Sequence, residues 1–146
     1  MLRGHYKASI DDKGRLKIPA AFRHAIEEKF GTEFFVTSIT GESALLYPLP
    51  EWEKIEARLA EPPIMDPAKL KFLDRTNYYG KTASMDSQGR ILVHPDLRER
   101  AQLNGEVSVL GYLNHLDVWN TERFEKRLEG EPYITEDAAA IAKFGI

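Results

Sequence analysis

Between residues 6 and 10 the chain alternates, with Tyr6, Ala8 and Ile10 separated by Lys7 and Ser9. That two-residue period marks a half-buried strand. Leu16 and Ile18 alternate with Arg15 and Lys17 as a second strand. The intervening Asp11-Asp12-Lys13-Gly14 is hairpin turn chemistry, because Asp accepts nearby backbone N–H groups and Gly takes positive φ. Pro19 ends the strand and suits the first turn of a helix over Ala20–Lys29. Phe34–Ser38 and Ala44–Tyr47 read as two more strands around Thr40-Gly41. A closing helix is expected over Glu51–Leu59, where Trp52, Ile55 and Leu59 share a face at spacings of 3 and 4.

The chain then repeats itself. Residues 7–18, KASIDDKGRLKI, are answered by residues 82–93, TASMDSQGRILV. Ala8, Ser9, Asp11, Gly14 and Arg15 recur as Ala83, Ser84, Asp86, Gly89 and Arg90. Ile10/Met85, Leu16/Ile91 and Ile18/Val93 are apolar in both copies. The likeness continues through Phe22-Arg23 and Leu97-Arg98, then Glu33-Phe34-Phe35-Val36 and Glu106-Val107-Ser108-Val109. It ends on an aromatic before a helix, Tyr47 or Trp119. The second copy therefore predicts strands near 82–86, 90–93, 106–110 and 116–119 and a helix near 121–129.

An α+β fold follows, built from two tandem β-α-β-β-α repeats whose first β unit is the hairpin. A unit this small cannot bury itself alone, so each copy is expected to complete the other's sheet. The result is a pseudo-dimer within one chain, a β-rich centre with helices around it. The organisation reads as repeat 1 over residues 1–60, a linker and helix over 61–80, repeat 2 over 81–130 and a tail over 131–146. Asp66 reads as the N-cap of the linker helix, Pro67 opens it and Gly80 stops it. For the tail two readings stand, a docking segment or a frayed end.

Composition narrows the chemistry. With 42% hydrophobic and 29% charged residues, the 146-residue chain matches a globular domain. It has no cysteine, which excludes disulfides, thiolate metal sites and thiol nucleophiles. A cytoplasmic protein without a membrane span is expected. The net charge of −3 argues against nucleic acid until its distribution is examined. Residues 1–25 carry six cations against two carboxylates, a net +4, whereas residues 121–146 carry four against six, a net −2. The window 76–100, equivalent to the first, is only +1, because Lys7, Lys13 and Lys17 become Thr82, Gln88 and Leu92.

The repeated Asp-x-x-Gly-Arg at Asp11–Arg15 and Asp86–Arg90 is the candidate site. A tight turn projects the Arg from the start of a strand, and the Asp four residues earlier can hold both turn and guanidinium. The Arg fork suits guanine O6/N7 and phosphate oxygens. Lys7, Lys13 and Lys17 around Arg15 would supply phosphate contacts. The competing reading makes both Asp–Arg pairs purely structural, locking the hairpins. Leu92, if exposed, would fit a subunit contact.

Enzyme signatures are missing: there is no P-loop, GxSxG, HExxH or GxGxxG. His5, His24, His94 and His115 are scattered and are expected as lone surface side chains. Asp11 and Asp12, adjacent on a strand, would point to opposite faces. Trp52 and Trp119 read as core or interface anchors. Neither catalysis nor a cofactor or metal is expected.

The stretches RGHYKASIDDKGRLKIPAAFR, FLDRTNYYGKTASMDSQGRILVHPDLRERA and VSVLGYLNHLDVWN closely resemble MraZ proteins, bacterial transcriptional regulators. The resemblance covers residues 1 to about 130 and both motifs; the tail carries no family signature. It implies a tandem SpoVT/AbrB-like swapped-hairpin β-barrel. It also implies nucleoid-associated binding to direct repeats in double-stranded DNA at the promoter of the division and cell wall gene cluster. There the protein would repress its own operon as a homo-oligomeric, commonly octameric ring. Carried onto this chain, the motif residues are Asp11 and Arg15, then Asp86 and Arg90. Gly14 comes with the first turn, and Arg3, Lys7, Lys13 and Lys17 are added from charge alone. The alternative function is an adaptor that binds a protein partner through its tail.

Overall fold

The computed structural model describes all residues, Met1–Ile146. The first repeat contains β1 (Leu2–Ile10), β2 (Arg15–Lys17), α1 (Ala20–Lys29), β3 (Glu33–Thr37), β4 (Ala44–Pro48) and α2 (Leu49–Leu59). The linker helix is α3 (Pro67–Tyr78). The second repeat contains β5 (Lys81–Ser84), β6 (Arg90–Leu92), α4 (Pro95–Ala101), β7 (Gly105–Leu113), β8 (His115–Asn120) and α5 (Thr121–Gly130). The tail forms α6 (Thr135–Ala142). Both copies thus run ββαββα, the hairpin supplying two strands.

All eight strands join one antiparallel sheet in the order β5-β3-β4-β8-β7-β1-β2-β6. Its two ends, β5 and β6, also touch, so the sheet nearly closes into a barrel. The pairings interleave the copies. β1 lies on β7, with Ser9 opposite Glu106, and β3 lies on β5, with Glu33 opposite Ser84. Those are the same contact related by a pseudo-twofold axis. The axis passes between Leu16 and Ile91 in the β2–β6 pair and between Leu45 and Asp117 in the β4–β8 pair. Each repeat on its own would expose unpaired strand edges, and exchanging strands removes them.

One apolar cluster fills the barrel, drawn from equivalent positions of both copies. Leu16 and Ile91, Ile26 and Ala101, and Phe34 and Val107 are all fully buried. Each fully buried side chain of Leu, Ile or Phe size contributes on the order of 1.5–3 kcal/mol. Asp66 caps α3 as its sequence suggests, accepting from the backbone N–H groups of Ala68 and Lys69 at 2.9 and 3.2 Å.

β1, its partner β7 (which runs on to Leu113) and the tail exceed their sequence pattern. β1 begins at Leu2, four residues before the alternation, because Arg3-Gly4-His5 is held by backbone pairing to Tyr112-Gly111-Leu110 rather than by a buried face. The tail is helical over α6, yet buries none of its residues. No helix is long and apolar enough to cross a membrane.

Candidate nucleic-acid interface

Each motif is a closed local circuit. Asp11 Oδ1 accepts the Lys13 and Arg15 backbone N–H groups at 3.0 and 2.9 Å, and Oδ2 accepts Arg15 Nε at 2.8 Å. Backbone bonds from Asp11 N–H to the Arg15 carbonyl and from Gly14 N–H to the Asp11 carbonyl, both 3.0 Å, close the turn. Asp86 repeats every bond, to Gln88 and Arg90 at 2.9 Å and to Arg90 Nε at 2.8 Å. The Arg15 N–H, then the Arg15 side chain, holds the Asp11 carboxyl below the ordinary carboxylate range. Asp86 is lowered in the same way by Arg90. Both carboxylates therefore stay charged and keep the guanidinium oriented. Only Nε is engaged, so the terminal nitrogens of Arg15 and Arg90 make no hydrogen bond within the chain.

The β2–β6 pair brings the two motifs together. Arg15 lies opposite Leu92, and Lys17 opposite Arg90. Leu16 and Ile91 point inward at 0% exposure, which turns Arg15, Lys17, Arg90 and Leu92 outward. Strand rise and spacing set the two Arg Cα atoms roughly 8 Å apart. Leu92 is 40% exposed, as a contact residue would require.

The remaining candidates are placed unevenly. Lys13 and Lys17 are exposed beside Arg15. Lys7 is exposed but paired with Glu106 at 3.5 Å. Arg3 stands seven residues up β1 from Ile10, about 24 Å from the hairpin at the usual rise, and the fold does not bring it to the motif. Gly14 holds φ +84°, and a Cβ there would come within 2.5 Å of the Arg98 guanidinium.

That contact points to two arginines beside the turns to which the sequence reading gave no role. Arg98 of α4 covers the first turn, its Nε donating to the Val93 carbonyl at 2.8 Å. Arg23 of α1 covers the second turn, donating to the Ser87 carbonyl at 2.9 Å and to Glu27 at 2.8 Å. Arg23 thus hydrogen-bonds the other repeat's turn, whereas Arg98 packs over the other repeat's turn while bonding within its own. The recurrence of Phe22-Arg23 as Leu97-Arg98 was the available signal.

One histidine departs from expectation. His115 is not a lone surface side chain, because it stacks on Tyr47 at 4.2 Å and meets Tyr112 edge-on at 5.8 Å. Burial lowers its pKa to about 4. Trp52 and Trp119 are both buried, as anchors should be.

A family model described as "MraZ protein, putative antitoxin-like" matches the chain twice, over residues 1–75 and 80–144. The chain belongs to the MraZ family. The second match runs through the tail to residue 144, so the tail does carry family signature, contrary to the expectation from its sequence. A protein of Acidobacterium capsulatum named "Transcriptional regulator MraZ" is 50% identical over the full length of both chains. Relatives of the same name from Koribacter versatilis and Halothermothrix orenii are 46% and 36% identical, again over 100% of both chains.

Proposed function

We propose that this chain is a DNA-binding transcriptional regulator whose β2–β6 ribbon enters the major groove. The observation that carries the reading is the register of that ribbon. It sets Arg15, Lys17 and Arg90 on one outward face, above a fully buried Leu16 and Ile91. A groove about 12 Å wide admits a two-stranded ribbon, and both Arg side chains then reach the same stretch of base edges. Asp11 and Asp86 orient the guanidinium groups, while Lys13 and Lys17 ground the first hairpin on phosphates. The second hairpin contributes Arg90 with fewer cations around it.

The names of the full-length relatives support regulation of transcription as the role. The family resemblance supports direct repeats at the promoter of the division and cell wall cluster as the target, with the chain repressing its own operon in the cytoplasm. A few cations per chain supply modest affinity at physiological salt. A ring of chains engaging several boxes at once raises it through effective concentration.

A gel shift with the chain's upstream DNA, at two salt concentrations and with one box or several, tests the proposal. Binding should weaken markedly as salt rises and as boxes are removed. No shift at either salt concentration would favour a protein-binding adaptor instead. Equal binding to one box and to three would contradict the multivalent part.

A further inference from the structure

Helix α6 has no partner within the chain. Residues 132–146 are all exposed, and α6 has eight residues. An isolated helix in water needs about 12–15. Its sequence is not that of a solvated spacer. Ile134, Ala138 and Ile141 share a face at spacings of 4 and 3, with Phe144 three residues beyond. Ile134, Ile141 and Phe144 are 49%, 38% and 77% exposed. Asp137 lies on the same side, between Ile141 and Phe144, whereas Glu136 faces the other way.

The body carries a groove of matching character. It runs between α3 and the loop joining β3 to β4, with Ile39, Phe72 and Tyr79 as walls and Lys71, Arg75 and Arg100 as a rim. All three cations are exposed, and none forms an ion pair. An apolar trough with uncompensated positive charge thus faces the solvent on the same molecule as an apolar stripe with negative charge.

We infer that α6 of one copy docks in this groove of the next copy. Ile134, Ile141 and Phe144 enter the trough, and Asp137 meets the cations on its rim. The inference rests on the assembly part of the proposed function and names the contact that makes it. Helix and groove are different surfaces, so the contact is head-to-tail, the kind that generates a ring when its rotation closes.

The cysteine-free chain makes a direct test possible. Two single variants, Ile141→Cys in the tail and Ile39→Cys in the groove, are mixed and oxidised. A disulfide-linked species of twice the 16.7 kDa chain mass should form in the mixture and in neither variant alone. Arg75→Glu should slow that cross-linking several-fold, and Asp137→Arg on the tail-bearing partner should restore it. A chain carrying both cysteines that closes only on itself would place the tail in its own groove and overturn the inference. The mass of the unsubstituted chain by light scattering separates the remaining outcomes. A multimer whose chains do not cross-link keeps the assembly and overturns the tail contact, whereas a monomer overturns both.

Discussion

Arg23 donates to the carbonyl oxygen of Ser87 at 2.9 Å, across 64 residues of chain. Arg98 packs over Gly14 in the first turn while bonding the Val93 carbonyl of its own repeat, so each hairpin meets a helix of the other copy. Arg23→Ala and Arg98→Ala should each destabilise the fold by about 1–2 kcal/mol, the usual cost of losing a hydrogen bond from a charged donor. Urea unfolding measures this. Unchanged midpoints would mean that the Asp-centred turns stand without the clamps.

Two glycines with positive φ separate strain from crowding. Gly14 (φ +84°) lies under Arg98, whereas at Gly105 (φ +61°) an added Cβ would meet nothing within 4 Å. Gly105→Ala should cost about 1 kcal/mol from backbone conformation alone. Gly14→Ala should cost more, since it also displaces the Arg98 guanidinium. Denaturation of the two variants side by side checks the order.

His115 should make the fold acid-sensitive. Its pKa of about 4 in the folded chain lies below the ordinary 6.5, so the unfolded chain takes up a proton that the folded chain refuses. Its contribution is therefore complete above pH 6.5 and declines as pH falls from there towards 4. Burial raises the Asp117 pKa, which works in the opposite direction. The difference between the unsubstituted chain and His115→Gln isolates the histidine. Thermal midpoints of the two should converge as pH falls from about 7 to about 4.

Asp11 and Asp86 should titrate below the ordinary carboxylate range. Their folded-state pKa values are lowered, so their stabilisation is present above the unfolded value near 3.8 and is lost as pH falls through the folded one. Carboxyl carbon shifts followed by NMR report both groups. Titration at ordinary values would mean that the Arg15 and Arg90 contacts are not maintained in solution.

The parts of this fold that were legible in the sequence are those encoded within a few residues. The Asp11–Gly14 turn, the Asp66 cap and the Trp52–Leu59 face all announce themselves through local chemistry or period. The tandem repeat added the idea that each copy completes the other's sheet. The partner of each strand was not legible, because β1 meeting β7 and β3 meeting β5 depend on surfaces about a hundred and about fifty residues away in the chain. The destinations of Arg23 and Arg98 and the burial of His115 follow from those pairings and were hidden with them. At the site, the Asp–Arg pairs could be read as structural or as DNA-reading. Their geometry serves both, since the carboxylate holds Nε and leaves the fork's outer nitrogens free.

The central claim is that Arg15 acts on DNA rather than on the fold. Arg15→Ala, followed by gel shift on multi-box operator DNA and by light scattering and urea unfolding of the same sample, tests it most directly. The account predicts that operator binding is lost while oligomer mass stays the same and the chain remains cooperatively folded. A variant that unfolds or dissociates, or one that binds the operator as well as the unsubstituted chain, would contradict it.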